Sequence, residues 1–401
     1  MRARWLILWL IWLTLFVAYL DRVNISIAAP AMMSELRMSP AVFGGVLSAF
    51  SLGYALMQIP GGYLADRFGA RALLALALLV WSLFTGLTGL AASVSGLIVV
   101  RVLFGVGEGL ENGAQLKLIG DNFSSRERSS ASALFLTAIA LGPAVVAPLT
   151  AWLLGHAGWR GVFLWFTIPG LIVAVLVYAL IPAQGRTAPV PAQADAFAVK
   201  EQTRAMMRRS TSWLVFAAYV CFNVAFWGFI GWMPSYLKLT RHISLSALGL
   251  YGSLPYLCGF AGLLLIGWLG HKPLYRQRAL LVGASYLLAG ASLYLAFSAG
   301  TVERSVIGLS FAGLFLYGGF GPFWAIALDL TPAALRGTFT GFINFGGQIG
   351  GFSAPLAVGA IVSATGSFNG GFLFMIASLI LAALSLFWLH LRVPSPAARP
   401  S

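Results

Sequence analysis

Twelve stretches of about 20 apolar residues, each long enough to cross a bilayer as a helix, follow one another along this chain, separated by short loops carrying glycine, proline and charge. They lie near residues 5–29, 42–62, 72–92, 97–118, 130–154, 162–181, 213–237, 245–270, 279–299, 305–327, 338–364 and 371–391. Such a chain has one class of solution, a bundle of membrane-spanning helices whose backbone polar groups are satisfied within each segment. Only 9% of the 401 residues are charged and the mean hydropathy is +0.88, a composition that would aggregate in a water-soluble domain of this length. The expected fold class is therefore an all-α polytopic membrane protein. Met1 to Arg4 and the apolar run that follows read as an uncleaved first helix, because the run outlasts a signal-peptide core and no small-residue cleavage site follows it.

A net charge of +14 invites a nucleic-acid reading, which the positions of the basic residues exclude. With a cytoplasmic N-terminus, 18 of the 25 Lys and Arg fall on the cytoplasmic side and five on the other, leaving Arg22 and Arg101 inside the membrane. That is the positive-inside distribution, with both termini cytoplasmic, and it leaves no basic surface for nucleic acid. Cys221 and Cys258 both fall in apolar helices and read as buried, inert thiols.

Between Pro182 and Ser212 the chain turns polar and divides the helices six and six. The expected organisation is a six-helix bundle over residues 1–182, a cytoplasmic linker over 183–212, a second six-helix bundle over 213–393 and a cytoplasmic tail over 394–401. Residues 199–209 suit a short basic helix on the membrane surface and a solvated linker equally well. The halves echo each other: Gly62-Tyr-Leu-Ala-Asp66-Arg67 closes the second helix and Gly267-Trp-Leu-Gly-His271-Lys272 the eighth. Paired six-helix halves are the mark of a transporter whose substrate binds between them near the midplane.

Function is sought first among charges that a purely spanning helix would not carry. Asp21, Arg22, Arg101, Glu108 and Glu111 all lie inside apolar stretches, where each costs roughly 2.5 to 3.5 kcal/mol on insertion scales. Asp21 lies about 24 Å along the first helix at about 1.5 Å per residue, a depth similar to that of Arg101 in the fourth. Successive residues point about 100° apart on a helix, so Asp21 is expected to pair with Arg101, leaving Arg22 to meet an arriving anion. Glu108 shares a face with Arg101, about 10 Å deeper. A carboxylate there is costly to keep charged without a cation beside it, which suits it to take up and release a proton. Static ion pairing of the first and fourth helices is the competing reading. Glu111 either extends an exit path with Asn112, Gln115 and Lys117, or pairs with Lys117 or another basic group near the inner surface.

Further cavity candidates are Tyr54 in the second helix, Asn223 and Trp227 in the seventh, Trp324 in the tenth, and Asn344 and Gln348 in the eleventh. The last two share a helix face at i, i+4, and buried amides require hydrogen-bond partners. For Asn223 and Gln348 an interhelical hydrogen bond explains the residue as well as a substrate does, and for Trp227 packing is the simpler account.

Gly62-x-x-x-Asp66-Arg67-x-Gly69-x-Arg71 resembles the signature loop of the major facilitator superfamily, and the likeness extends over essentially the whole chain. Tyr19-Leu-Asp21-Arg22-Val-Asn24, Tyr54 with Gln58-Ile-Pro60-Gly-Gly, Arg101-x-x-x-Gly105-x-x-Glu108-Gly109 and Gly158-Trp159-Arg160 together resemble its anion:cation symporter branch. That resemblance implies the twelve-helix facilitator fold with two pseudo-symmetric halves, working as a monomer. It implies coupling through Asp21 and Glu108 with Arg101 beside them, a substrate carboxylate on Arg22, a pocket lined by Tyr19, Tyr54, Trp324 and Asn344, and a cytoplasmic gate at Asp66, Arg67 and Arg71. Three departures stand out: His271 occupies the place of Asp66 in the second half, Gly113 replaces a usual proline, and Thr137-Ala138-Ile139 stands where sugar-acid members commonly place a glutamine.

The sequence thus leads to the expectation of a secondary transporter in the cytoplasmic membrane, importing a small organic anion such as a sugar acid or other carboxylate with protons as the coupling ion and no other cofactor. An organic-anion exchanger or exporter of the same fold is the alternative. His156, His242, His271 and His390 lie in loops or near helix ends with no ligand spacing, so neither a metal site nor an enzyme is expected.

Overall fold

The computed structural model describes residues 2–124, 127–182, 196–331 and 335–392. Its helices are α1 (Arg2–Glu35), α2 (Pro40–Phe68), α3 (Ala70–Leu90), α4 (Val94–Gly109), α5 (Glu111–Asn122), α6 (Arg128–Leu136), α7 (Ala138–Leu180), α8 (Ala196–Met207), α9 (Ser210–Leu239), α10 (Leu245–His271), α11 (Arg278–Ser298), α12 (Val302–Gly318), α13 (Phe320–Asp329), α14 (Arg336–Thr365) and α15 (Asn369–Arg392). Among the described residues there is no strand.

Polar side chains cap the starts of α2, α4 and α12. Ser39 accepts the Val42 amide ahead of Pro40 at the start of α2, Ser93 the Gly96 amide at α4, and Thr301 the Arg304 amide at α12. Ten segments among the described residues are long and apolar enough to cross a membrane. The difference from twelve has two causes. Residues 131–180 form one such segment that holds two helices joined at Gly158 (φ 64°, ψ 178°). The fourth predicted helix, for its part, is divided into α4 and α5 at Leu110.

That division has a counterpart. Leu110 (φ −75°, ψ −21°) separates α4 from α5, and Gly319 (φ −67°, ψ −20°) separates α12 from α13 at the matching place in the second half. Interrupted helices at membrane depth are tolerated where protein covers the backbone, and Leu110 is buried against that requirement.

The signature loop is shorter than its sequence suggests. A single residue, Gly69 at φ 87°, joins α2 to α3, and this left-handed conformation favours glycine. Gly105 serves closeness instead: a methyl group there would collide with the Phe50 carbonyl oxygen of α2. Gly105→Val is therefore expected to push α4 off α2 and lower the detergent-solubilised unfolding temperature by several degrees, reflecting about 1–3 kcal/mol of overpacking. A melting curve unchanged from wild type would show that the two helices have room to spare.

The chain forms two compact units, one comprising Met1–Ala188, Ile230–Ser253 and Pro355–Gly366, the other Pro189–Phe229, Leu254–Ala354 and Ser367–Ser401. The first unit thus includes the ends of α9, α10 and α14 remote from the linker. There Trp232, 1% exposed, donates its indole N–H to the Pro355 carbonyl at 3.1 Å and meets Phe43 edge-on at 5.9 Å, while the Ala41 amide donates to Ser363 Oγ at 2.9 Å. At the same end, Glu35 of α1 accepts from Trp159 Nε1 at 2.6 Å and pairs with Arg160, which also donates to the Ala91 carbonyl. This clamp gives Gly158-Trp159-Arg160 a structural task. At the opposite end, Arg4 pairs with Glu127, whose carboxyl is held below its ordinary value chiefly by the Ser124 hydroxyl.

The second unit is built around aromatic side chains. Phe222 stacks on Tyr286 at 4.9 Å and on Phe226 at 5.5 Å, and Tyr219 stacks on Phe323 at 4.9 Å. Arg278 at the start of α11 pairs with Asp329 at 2.6 Å and donates to the Gly270 carbonyl at 2.8 Å. Within the expected linker, α8 occupies Ala196–Met207, while residues 183–195 lie outside the described residues, as does the expected tail from 394 onward. Cys221 and Cys258 are free thiols.

Candidate functional site

In the first unit the intramembrane charges converge, but not in the expected pairs. Arg22 donates from Nε to Glu108 Oε1 at 2.9 Å, and its Nη2 lies 3.7 Å from Glu111 Oε1. The side chains are buried, at 7% exposure for Arg22, 0% for Glu108 and 2% for Glu111. Arg22 is thus the partner of both acids, which corrects the expectation that it is left free. Glu111 is likewise bound to Arg22 and to Gln115 Nε2 at 3.0 Å, whereas Lys117 lies 3.9 Å from Asp121.

Three aromatic rings frame the Arg22 guanidinium: Tyr19 at 4.7 Å, Tyr54 at 5.0 Å and Phe50 at 5.3 Å. The electron-rich ring faces attract the cation while excluding water, which strengthens its electrostatic contacts. Tyr19 and Tyr54 were singled out from the sequence; Phe50 was not. Its one signal is the i, i+4 spacing from Tyr54 on α2, which a hydrophobic position in any packed helix shares.

Among the described residues no ion pair joins Asp21 to Arg101, and that expected pairing is also corrected. Asp21, 1% exposed, lies beside Trp81 and Thr85 of α3 and makes a long 3.5 Å contact with Asn24 Nδ2. Arg101 lies over Phe104 at 4.4 Å and nearer the edge of reach of Phe50 at 5.8 Å. The cause is the rotation of α1: with Arg22 turned onto α4 and α5, the residue before it faces α3. Asp21 Oδ2, Arg101 Nε and Glu108 Oε2 are buried and make no hydrogen bond among the described residues.

Below the acids the polar chain continues. Gln115 Nε2 also donates to Thr14 Oγ1 at 2.8 Å, and Thr14 donates to the Ile11 carbonyl at 2.7 Å. Farther along α1, Trp12 Nε1 donates to Thr137 Oγ1 at 2.9 Å where α6 gives way to α7.

The second unit assembles its candidates around a residue not singled out from the sequence, Tyr219. Trp324 meets it edge-on at 5.2 Å, and Asn223 donates from Nδ2 to its carbonyl at 2.8 Å. Among the described residues the Asn223 amide makes this bond within its own helix and none to a neighbouring one. Gly347 and Gly350 bring α14 against α9 at Tyr219 and Asn223, and the half-buried Asn344 and Gln348 flank that contact on α14. Trp227 is half-buried beside Phe226 at 5.8 Å.

Of the expected gate, Arg71 donates to the Ile181 carbonyl at 3.3 Å and lies over Tyr178 at 4.7 Å, joining the start of α3 to the end of α7. Arg67 is exposed, with its guanidinium 5.4 Å from Phe68. The Asp66 side chain lies outside the described residues.

A sequence profile of the Major Facilitator Superfamily matches residues 11–355. The chain belongs to this superfamily. The superfamily's fold is also that of two solved structures: a bacterial homolog of the human lysosomal transporter Spinster (TM-score 0.81, 20% identity, 97% of each chain) and a D-xylose-proton symporter (TM-score 0.79, 18% identity, 100% of each chain). Among curated relatives of this facilitator are the Probable sulfoacetate transporter SauU of Cupriavidus necator, 33% identical over 98% of this chain and 96% of its own. The hexuronate transporter of Bacillus subtilis is 30% identical over 92% and 90%, and the Probable galactarate/D-glucarate transporter GudP of the same organism is 30% identical over 96% and 91%. These names agree with the branch that the sequence resembles. The facilitator is accordingly a multi-pass membrane protein of a transporter family.

Proposed function

We propose that this protein is a secondary active transporter that imports a small organic anion, a sugar acid or other carboxylate, together with protons by alternating access. The observation that carries the reading is the buried Arg22 guanidinium framed by three aromatic rings and held on two acids. A guanidinium binds carboxylates through paired N–H donors. Here Glu108 already occupies the Nε donor, so an arriving carboxylate competes with Glu108 for it. Protonation of Glu108 withdraws that competitor, and anion and proton then load together. Release on the cytoplasmic side follows when Glu108 loses its proton and reclaims Arg22.

Asp21 is the second coupling acid of this scheme, with Arg101 as its nearby cation across the same buried region. Tyr19, Tyr54, Trp324, Asn344, Gln348 and Asn223 contact the substrate, and Asp66, Arg67 and Arg71 act in gating. The positive-inside distribution of the basic residues supports cytoplasmic termini in the inner membrane, and the protein works as a monomer.

The test is uptake into proteoliposomes of labelled hexuronates, galactarate, D-glucarate and sulfoacetate, with and without an inward proton gradient. Concentrative uptake of one class only when the gradient is present is the expected result. Gradient-independent exchange of internal for external anion would overturn symport in favour of an organic-anion exchanger.

A further inference from the structure

Among the described residues Glu111 is the one buried acid that the coupling scheme above leaves without a task. Its side chain is 2% exposed, it lies in the first turn of α5 after the break at Leu110, and it shares the Arg22 guanidinium with Glu108. Three carboxylates, Asp21, Glu108 and Glu111, are thus buried in this region with two guanidiniums, Arg22 and Arg101. The set carries one more acid than base, and Lys117, the nearest basic candidate in sequence, is placed with Asp121.

The titratable and charged groups facing Glu111 are Arg22 and Tyr19 from α1, Tyr54 from α2, and Glu108 from α4; on α5 itself its neighbour is the neutral amide of Gln115. Among these Arg22 is the single cation, and Glu108 claims it at the shorter distance, 2.9 Å against 3.7 Å. Two carboxylates on one buried cation repel each other, and a proton on either relieves the repulsion.

We propose that Glu111 is a second proton acceptor on Arg22, so that an anion taking the guanidinium displaces two carboxylates and binds with one more proton than Glu108 and Asp21 alone would require. The inference rests on the symport reading for its consequence, but proton uptake by Glu111 stands independently of it. The proton on a released Glu111 has a neighbour toward the inner end of α5, the Gln115 amide, itself bonded to Thr14. By linkage, affinity changes with pH according to the number of protons taken up on binding.

The experiment compares wild type, Glu111→Gln, Glu111→Asp and Glu108→Gln as purified full-length protein. Infrared difference spectra between acid and alkaline pH, recorded without any anion, report carboxyl groups that gain a proton. Glu111→Gln is expected to lose one titrating carboxyl band that Glu111→Asp retains, shifted in position. Tryptophan-fluorescence titrations with D-glucarate and sulfoacetate then read the linkage: on the alkaline side, affinity falls about tenfold more steeply per pH unit in wild type than in Glu111→Gln.

A Glu111→Gln spectrum identical to wild type overturns the proposal, because an acid that stays charged, or stays neutral, throughout produces no difference band. An unchanged pH slope in Glu111→Gln overturns the linkage of that further proton. Wild-type affinity independent of pH would sink the symport reading while leaving the infrared result to decide Glu111.

Discussion

Arg22→Ala is expected to abolish anion binding and to destabilise the first unit. The substitution removes the donor that receives the anion, and it also leaves Glu108 and Glu111 buried without their cation. Breaking one side of a buried pair costs about 3–5 kcal/mol. Binding is read by tryptophan fluorescence and stability by thermal unfolding in detergent. The double variant Arg22→Ala/Glu108→Gln separates the two effects. It is expected to recover much of the lost stability, because one orphaned charge has gone, while binding stays absent. Arg22→Lys keeps the charge but not the planar fork, so it should fold and bind far more weakly than wild type. Wild-type affinity in any Arg22 variant would remove this residue from the substrate site.

The second large effect belongs to Glu108→Gln. The amide is isosteric and leaves Arg22 paired with Glu111, so folding and counterflow exchange of internal for external anion are expected to persist. Accumulation driven by a proton gradient should fall, because one of the coupled protons has gone. Each coupled proton supports about a tenfold concentration ratio per unit of pH difference, since one pH unit is worth about 1.36 kcal/mol, and the variant should fall short of wild type by at least that factor. The equilibrium ratio, unlike the initial rate, is insensitive to a merely slowed transporter. Normal accumulation by Glu108→Gln would exclude it from coupling.

The two variants act on the same contact from opposite sides, and their contrast follows from a detail of helix rotation. Asp21 and Arg22 are adjacent in sequence and differ in direction by about 100°, so one of them faces α4 and α5 while the other faces α3. From the sequence, matching depth and opposite charge made Asp21 and Arg101 natural partners. Depth is computable from position along a helix, but the angle at which the helix is set is not. That angle is decided by the packing of α1 against α7, where shape counts as much as charge.

The apolar stretches and the membership in a transporter superfamily were legible in the residues, because insertion of each helix depends on its own composition. So was the set of buried charges, since a charge within an apolar stretch has few places to go. Phe50 and Tyr219 were not legible as site residues: each is an aromatic on an apolar helix, and only neighbours from other helices distinguish a ring that frames a guanidinium or meets Trp324 from one that fills a core.

The break at Leu110 belongs to the same group. Leucine favours helix, so Leu110 itself announces no interruption; Gly107 and Gly109 beside it allow α4 to lie against α3 and α2, and the helix yields there. The sequence by itself determined which segments enter the membrane and which charges accompany them, since transfer energies are properties of single segments. Only the tertiary structure decided that Arg22 is shared by Glu108 and Glu111, because a buried charge takes its partner from whichever side chain the packing of several helices brings within reach.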